Sequence, residues 1–122
     1  MAGRSGGLPW IAALLFVMVA AWPGAATAHT RLIASEPQAN AVLKAAPARI
    51  TLDFSAPPEA GFSEMQWSQA AQEEWHALEV AQQATQLEAA LPQLGPGRYK
   101  IRWSVLSRDG HRQRGVLEFQ ID

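Results

Sequence analysis

Three stretches of the chain alternate strictly between apolar and polar side chains. Ile50, Leu52 and Phe54 are separated by Thr51 and Asp53. Tyr99, Ile101, Trp103 and Val105 are separated by Lys100, Arg102 and Ser104, and Leu117, Phe119 and Ile121 by Glu118 and Gln120. A period of two marks a strand with one face on a core and the other in water. Weaker extended segments are expected at residues 31 to 35, 62 to 69, 74 to 80 and 85 to 90. Pro37, Pro47, Pro57-Pro58, Gly61, Pro92 and Gly95-Pro96-Gly97 punctuate them. About seven strands with turn signals between them predict an all-β protein, two antiparallel sheets burying their inner faces as a sandwich.

Residues 70 to 90 fit that pattern least well. Their Ala, Gln and Glu content also suits a helix, with Trp75, Leu78 and Gln82 on one face. Strands are the expectation here. Trp103 sits on an apolar stripe and is expected in the core. Trp67 and Trp75 are read as packing residues before they are read as stacking platforms for a sugar.

Ahead of the first strand lies a different kind of sequence. Arg4 and the initiator amine precede an uncharged, largely apolar run from Trp10 to Trp22, then Pro23-Gly24 and the small-residue site Ala26-Thr27-Ala28. These are the parts of a cleavable export signal. The run, about 13 residues, is shorter than the roughly 20 that a spanning helix needs. Residues 1 to 28 are therefore read as a signal peptide and residues 29 to 122 as the mature domain, exported to the periplasm. Those 94 residues make one small domain.

Removing the signal takes away only Arg4 among charged residues, leaving nine basic against eleven acidic side chains. A balance that close to neutral carries no nucleic-acid footprint. Cysteine is absent, so neither disulfides nor thiolate ligands are available, and Met65 is the one methionine after residue 28.

Cleavage after Ala28 would make His29 the first residue. A free N-terminal histidine offers two nitrogens, its α-amine and a ring nitrogen, to one metal ion. Near the other end, Asp109-Gly110-His111 supplies a carboxylate and a second imidazole. An extended backbone puts the i and i+2 side chains on one face, and a turn at Gly110 would put both at a loop tip. Either lets them converge. Three nitrogens and one oxygen without sulfur suit a tetragonal Cu(II) site better than a structural zinc site. His76, beside Trp75 on an expected strand, is read as a bystander.

With these residues in view, the sequence is similar to the periplasmic copper-binding CopC family over essentially all of residues 29 to 122. The resemblance rests on His29, Ser35-Glu36-Pro37 with Ala39-Asn40, and Pro47 leading into Ile50-Thr51-Leu52-Asp53-Phe54-Ser55. It continues through Gly97-Arg98-Tyr99-Lys100-Ile101-Arg102-Trp103-Ser104-Val105, then Ser107-Arg108-Asp109-Gly110-His111, Gly115 and Phe119. It implies a cupredoxin-like, immunoglobulin-like Greek-key sandwich or barrel binding one Cu(II) per chain. The ligands carried over by position are His29, Asp109 and His111, with Ser107 positioning the loop by hydrogen bonding. Two departures stand out. A mid-chain methionine-rich Cu(I) site found in some members has only Met65 here. An acid that some members carry directly after the Phe-Ser pair is replaced by Ala56, with Glu59 displaced from that position.

The function implied is a periplasmic copper carrier or chaperone in resistance, homeostasis or uptake, not an enzyme, with a CopD-like inner-membrane protein as transfer partner. Two other readings remain. A histidine-brace copper monooxygenase would use a similar donor set but usually needs a broad face of exposed aromatics. A β-sandwich assembly domain would carry its histidines incidentally.

Overall fold

The computed structural model describes residues 30–122. The expected signal peptide and His29 lie outside the described residues. Nine strands follow in order: β1 Leu32–Glu36, β2 Ala41–Leu43, β3 Arg49–Phe54, β4 Glu64–Gln69, β5 His76–Leu78, β6 Val80–Gln83, β7 Gln86–Ala90, β8 Gly97–Leu106 and β9 Arg112–Ile121. They form a four-stranded sheet in the order β1-β3-β7-β6 and a five-stranded sheet in the order β2-β9-β8-β4-β5. Consecutive strands cross repeatedly between the sheets, the Greek-key habit of a β-sandwich. All pairs are antiparallel except β2 with β9, which run parallel at one edge.

The three sequence stripes form the inner faces. Ile50, Leu52 and Phe54 point inward from β3, Tyr99, Ile101, Trp103 and Val105 from β8, and Leu117, Phe119 and Ile121 from β9. Burying each such side chain contributes about 1.5–3 kcal/mol. Phe54 meets Trp103 edge-on across the sandwich, ring centroids 5.2 Å apart, and Tyr99 stacks on Phe119 at 5.8 Å.

The ambiguous segment is extended. The expected strand at 74 to 80 is two short ones, β5 and β6, that belong to different sheets and are separated by Glu79 alone. β6 then turns back into β7 through Ala84 and Thr85. The three-residue β2 was not anticipated. It has no stripe of its own and is held by pairing with the end of β9.

Gly115 faces Trp103 across the β8–β9 ladder. A Cβ there would lie 2.4 Å from a carbon of the indole ring, so the bare glycine makes room for the largest core side chain. Gly115→Ala should therefore lower stability by about 1–3 kcal/mol through overpacking. Denaturant unfolding of the two proteins checks this, and an unchanged midpoint would show that the ring moves without cost. The unsubstituted domain should unfold cooperatively without metal, because the core cluster among the described residues includes neither Asp109 nor His111. A disordered metal-free spectrum would contradict that.

Candidate metal centre

β8 and β9 are joined by residues 107–111, with Arg108-Asp109-Gly110 at the tip between the bonded pair Ser107 and His111. The Gly110 N–H donates to Ser107 O at 2.9 Å, and the Ser107 N–H to His111 O at 2.8 Å. Gly110 has φ of 91°, which glycine alone adopts without strain. This is the familiar three-residue hairpin in which glycine takes the left-handed position after a turn. Of the two geometries open from sequence, the turn is the one adopted.

The hairpin brings Asp109 and His111 together. Asp109 Oδ1 accepts the His111 backbone N–H at 3.0 Å, the self-capping bond of an Asx turn. Asp109 Oδ2 lies 3.0 Å from His111 Nδ1. A proton on Nδ1 makes that contact a hydrogen bond, and in the neutral ring it puts the lone pair on Nε2. Carboxylates orient metal-binding imidazoles in the same way. The His111 side chain is 67% exposed and that of Asp109 28%.

Ser107, at the base of the loop, is fully buried. Its Oγ accepts the backbone N–H of Thr30 at 3.1 Å, a buried bond between residues 77 apart in sequence. The next residue is tied to the other sheet. Arg31 N–H donates to Ser55 Oγ at 3.0 Å, and Ser55 N–H donates to Arg31 O at 2.8 Å. The chain thus enters the sandwich pinned between the end of β3 and the end of β8. Glu59 packs at this end too, its backbone N–H donating to Leu106 O at 2.9 Å. The Thr30 hydroxyl is buried here without a hydrogen-bond partner among the described residues.

Of the residues singled out from sequence, Asp109 and His111 come together, Ser107 lies directly beneath them, and His29 lies outside the described residues. No group of three or more His, Cys, Asp or Glu side chains gathers among the described residues. His76 is in register with Trp67 and, through it, Ile101. That is six residues along β8 from Ser107, about 20 Å at strand rise. It stacks on Trp67 at 4.6 Å. Met65 is 1% exposed and belongs to the core. Trp103 is core, Trp67 packs against the core, and Trp75 is covered by Arg102. The Ser55 and Ser107 ties to residues 30 and 31 had no signal in the spacing of the sequence.

Comparison with known proteins places this arrangement in context. A family model described as the CopC domain matches residues 32–122. Protein YobA of Escherichia coli is 36% identical over 98 residues, covering 77% of this chain and 79% of that protein. The copper transport protein CutJ of Bacillus subtilis is 30% identical over 92% of this chain, which spans only 21% of CutJ. Among solved structures, CopC from Methylosinus trichosporium OB3b superposes with a TM-score of 0.69 at 26% identity, over 77% of this chain and 94% of that one. PcoC of Escherichia coli, a methionine-rich copper resistance protein, gives 0.65 at 24% identity, over 77% of this chain and 99% of that one, a likeness of fold.

The buried tie yields a stability prediction. Ser107→Ala leaves the Thr30 N–H buried without an acceptor and should cost about 1–3 kcal/mol. Thr30→Val, which replaces an unpaired hydroxyl with a similarly shaped methyl, should cost nothing measurable. Urea unfolding of both variants checks the pair, and equal losses would contradict the bonding described.

Proposed function

The chain belongs to the CopC family, and on that premise we propose that it is an exported, periplasmic copper carrier or chaperone, not an enzyme. Its cargo is one Cu(II) ion per chain, held by the amine and ring of His29 at a processed N-terminus, by Asp109 and by His111. The role is in copper resistance, homeostasis or uptake, with a CopD-like inner-membrane protein receiving or supplying the metal. The relationship to CutJ supports such a partner, because there a region similar to this chain forms part of a much longer copper transport protein.

The observation that carries the reading is the bond from Thr30 to Ser107. Ser107 stands two residues before Asp109 and four before His111. Any residue joined to Thr30 lies within one residue's reach, about 3.6 Å, of that anchored amide. On this reading a processed His29 would bring its amine and ring to the end of the sandwich that carries Asp109 and His111. Imidazole and amine nitrogens bind Cu(II) strongly, and the carboxylate offsets part of its charge.

The rest of the chain supports a single site for the oxidised ion. Cu(I) prefers sulfur, and the domain offers only Met65, sealed in the core. Carrying copper as Cu(II) and losing it on reduction would give a release step. The described tryptophans are buried or covered, which leaves no broad aromatic platform of the kind a polysaccharide-active copper enzyme uses.

Two experiments test the proposal. Asp109→Asn and His111→Ala should each weaken Cu(II) binding at least about tenfold, while His76→Ala leaves it unchanged. Calorimetric titration reads this, and an equal loss from His76→Ala would contradict the assignment. Binding should also weaken as the pH is lowered, because protons compete for the ligating nitrogens. Anaerobic reduction of the loaded protein with a Cu(I) chelator present should strip the metal. Retained copper would mean a Cu(I) site that this reading lacks.

A further inference from the structure

The outer face of the five-stranded sheet gathers positive charge. Arg98, Lys100 and Arg102 alternate along β8, and Arg112 and Arg114 along β9. These are five of the nine basic residues after residue 28, in a stretch whose overall balance is acidic. The register sets Arg102 opposite Val116 and Arg114 opposite Ser104, so cations of the two strands interleave at a strand spacing of about 4.8 Å. The acids on this face are Glu64, Glu118 and Asp122, the last bonded to Gln120 beside Arg98.

Lys100 faces Glu118 across the ladder, whereas Arg102 and Arg112 are held by neutral groups. Arg102 lies over the Trp75 ring, 4.2 Å from its centroid, and its Nε donates to Gln66 Oε1. Lys100 Nζ sits 5.2 Å from the same ring. Arg112 donates to Ser104 Oγ at 2.8 Å and to Phe62 O at 3.3 Å. Each of these arginine partners is uncharged. Arg49, on the opposite sheet, is by contrast paired with Glu88 at 2.8 Å. A depression of about 610 Å³ lies on this face, where Arg102, Arg112 and Arg114 outnumber the one acid in its lining, Glu64.

We infer that this face docks on an anionic phospholipid surface, taking lipid phosphates between its arginines. Guanidinium groups bind phosphate through paired hydrogen bonds, and neutral partners that fix their direction leave the charge for an external anion. The cations are spread along two neighbouring strands. Laterally mobile headgroups adjust to any such spacing, whereas an acidic protein would have to match it. Val116, 60% exposed, adjoins the arginines in the same depression, and Phe62, whose carbonyl accepts from Arg112, is 52% exposed; both add apolar contact at the headgroup boundary. The attraction is electrostatic, so binding is weak, reversible and salt-sensitive.

The inference does not depend on the copper site, and its test contains no metal. The nine described strands lie within residues 32–121, and the matched region makes up 94% and 99% of the solved chains of CopC and PcoC, so residues 29–122 are used. That domain is sedimented with vesicles of phosphatidylglycerol mixed with phosphatidylcholine, and with phosphatidylcholine alone. Binding is expected only to the anionic vesicles, and to fall away as salt rises from about 0.02 M to about 0.5 M. Each cation near an anionic bilayer contributes roughly a fivefold gain. The double variant Arg98→Glu/Arg114→Glu, at two side chains that make no bond among the described residues, should therefore bind at least about 25-fold more weakly. Arg49→Glu/Gln83→Glu/Gln86→Glu, with the same change in net charge but on the four-stranded sheet, should bind nearly as the unsubstituted domain does. Thermal unfolding of each variant establishes that it is folded. Equal binding to neutral vesicles, an equal loss from the control variant, or no binding at low salt would each overturn the inference. Capture by a poly-glutamate peptide without vesicle binding would assign the face to an acidic protein instead and overturn it as well.

Discussion

Ser107 is where the fold and the candidate site become one problem. Its backbone closes the β8–β9 hairpin, and its buried hydroxyl accepts the Thr30 N–H. A donor buried away from water has to be paired, so the start of the domain is fixed to the hairpin that carries Asp109 and His111. Ser55 does the same from the end of β3 through Arg31. Just inside, Phe54 and Trp103 pack edge to face and lock those same two strands together from opposite sheets. The core thus holds in place the two points between which the chain is suspended.

The stripes of β3, β8 and β9 were legible in the sequence because each buries one whole face of a regular strand. A one-residue slip would have exposed the entire stripe. The same logic fails for β5 and β6. They are three and four residues long and half exposed, and the chain changes sheet between them at Glu79. No single face persists long enough to leave a period. β2 was illegible for another reason: its place is set by a parallel pairing with the last residues of β9, nearly 80 residues away.

The site divides in the same way. Asp-Gly-His is a local signal, since the carboxylate, the glycine and the imidazole share one hairpin, and the bonds of Asp109 to His111 follow from their spacing. Ser107 entered through resemblance to a family, and the hydrogen bonding expected of it takes the form of a tie to Thr30. That partner, and the matching tie at Ser55, depend on how the sheets pack and could not be read from spacing. Trp103 was read as a core residue and lies in the core, with Trp67 packed against it and His76 stacked on Trp67. Gly115 had a place in the motif, but its physical reason, the Trp103 ring lying against it, is visible only in three dimensions.

The central claim is that copper binding requires a free N-terminal amine at His29 next to the anchored Thr30. It is tested most directly by determining the intact mass of the exported protein, then titrating it with Cu(II) beside a form carrying one extra residue before His29. The account predicts a mass beginning at His29, one Cu(II) bound per chain, and marked weakening in the extended form. A different N-terminus, or an extended form that binds as tightly as the processed protein, would contradict it.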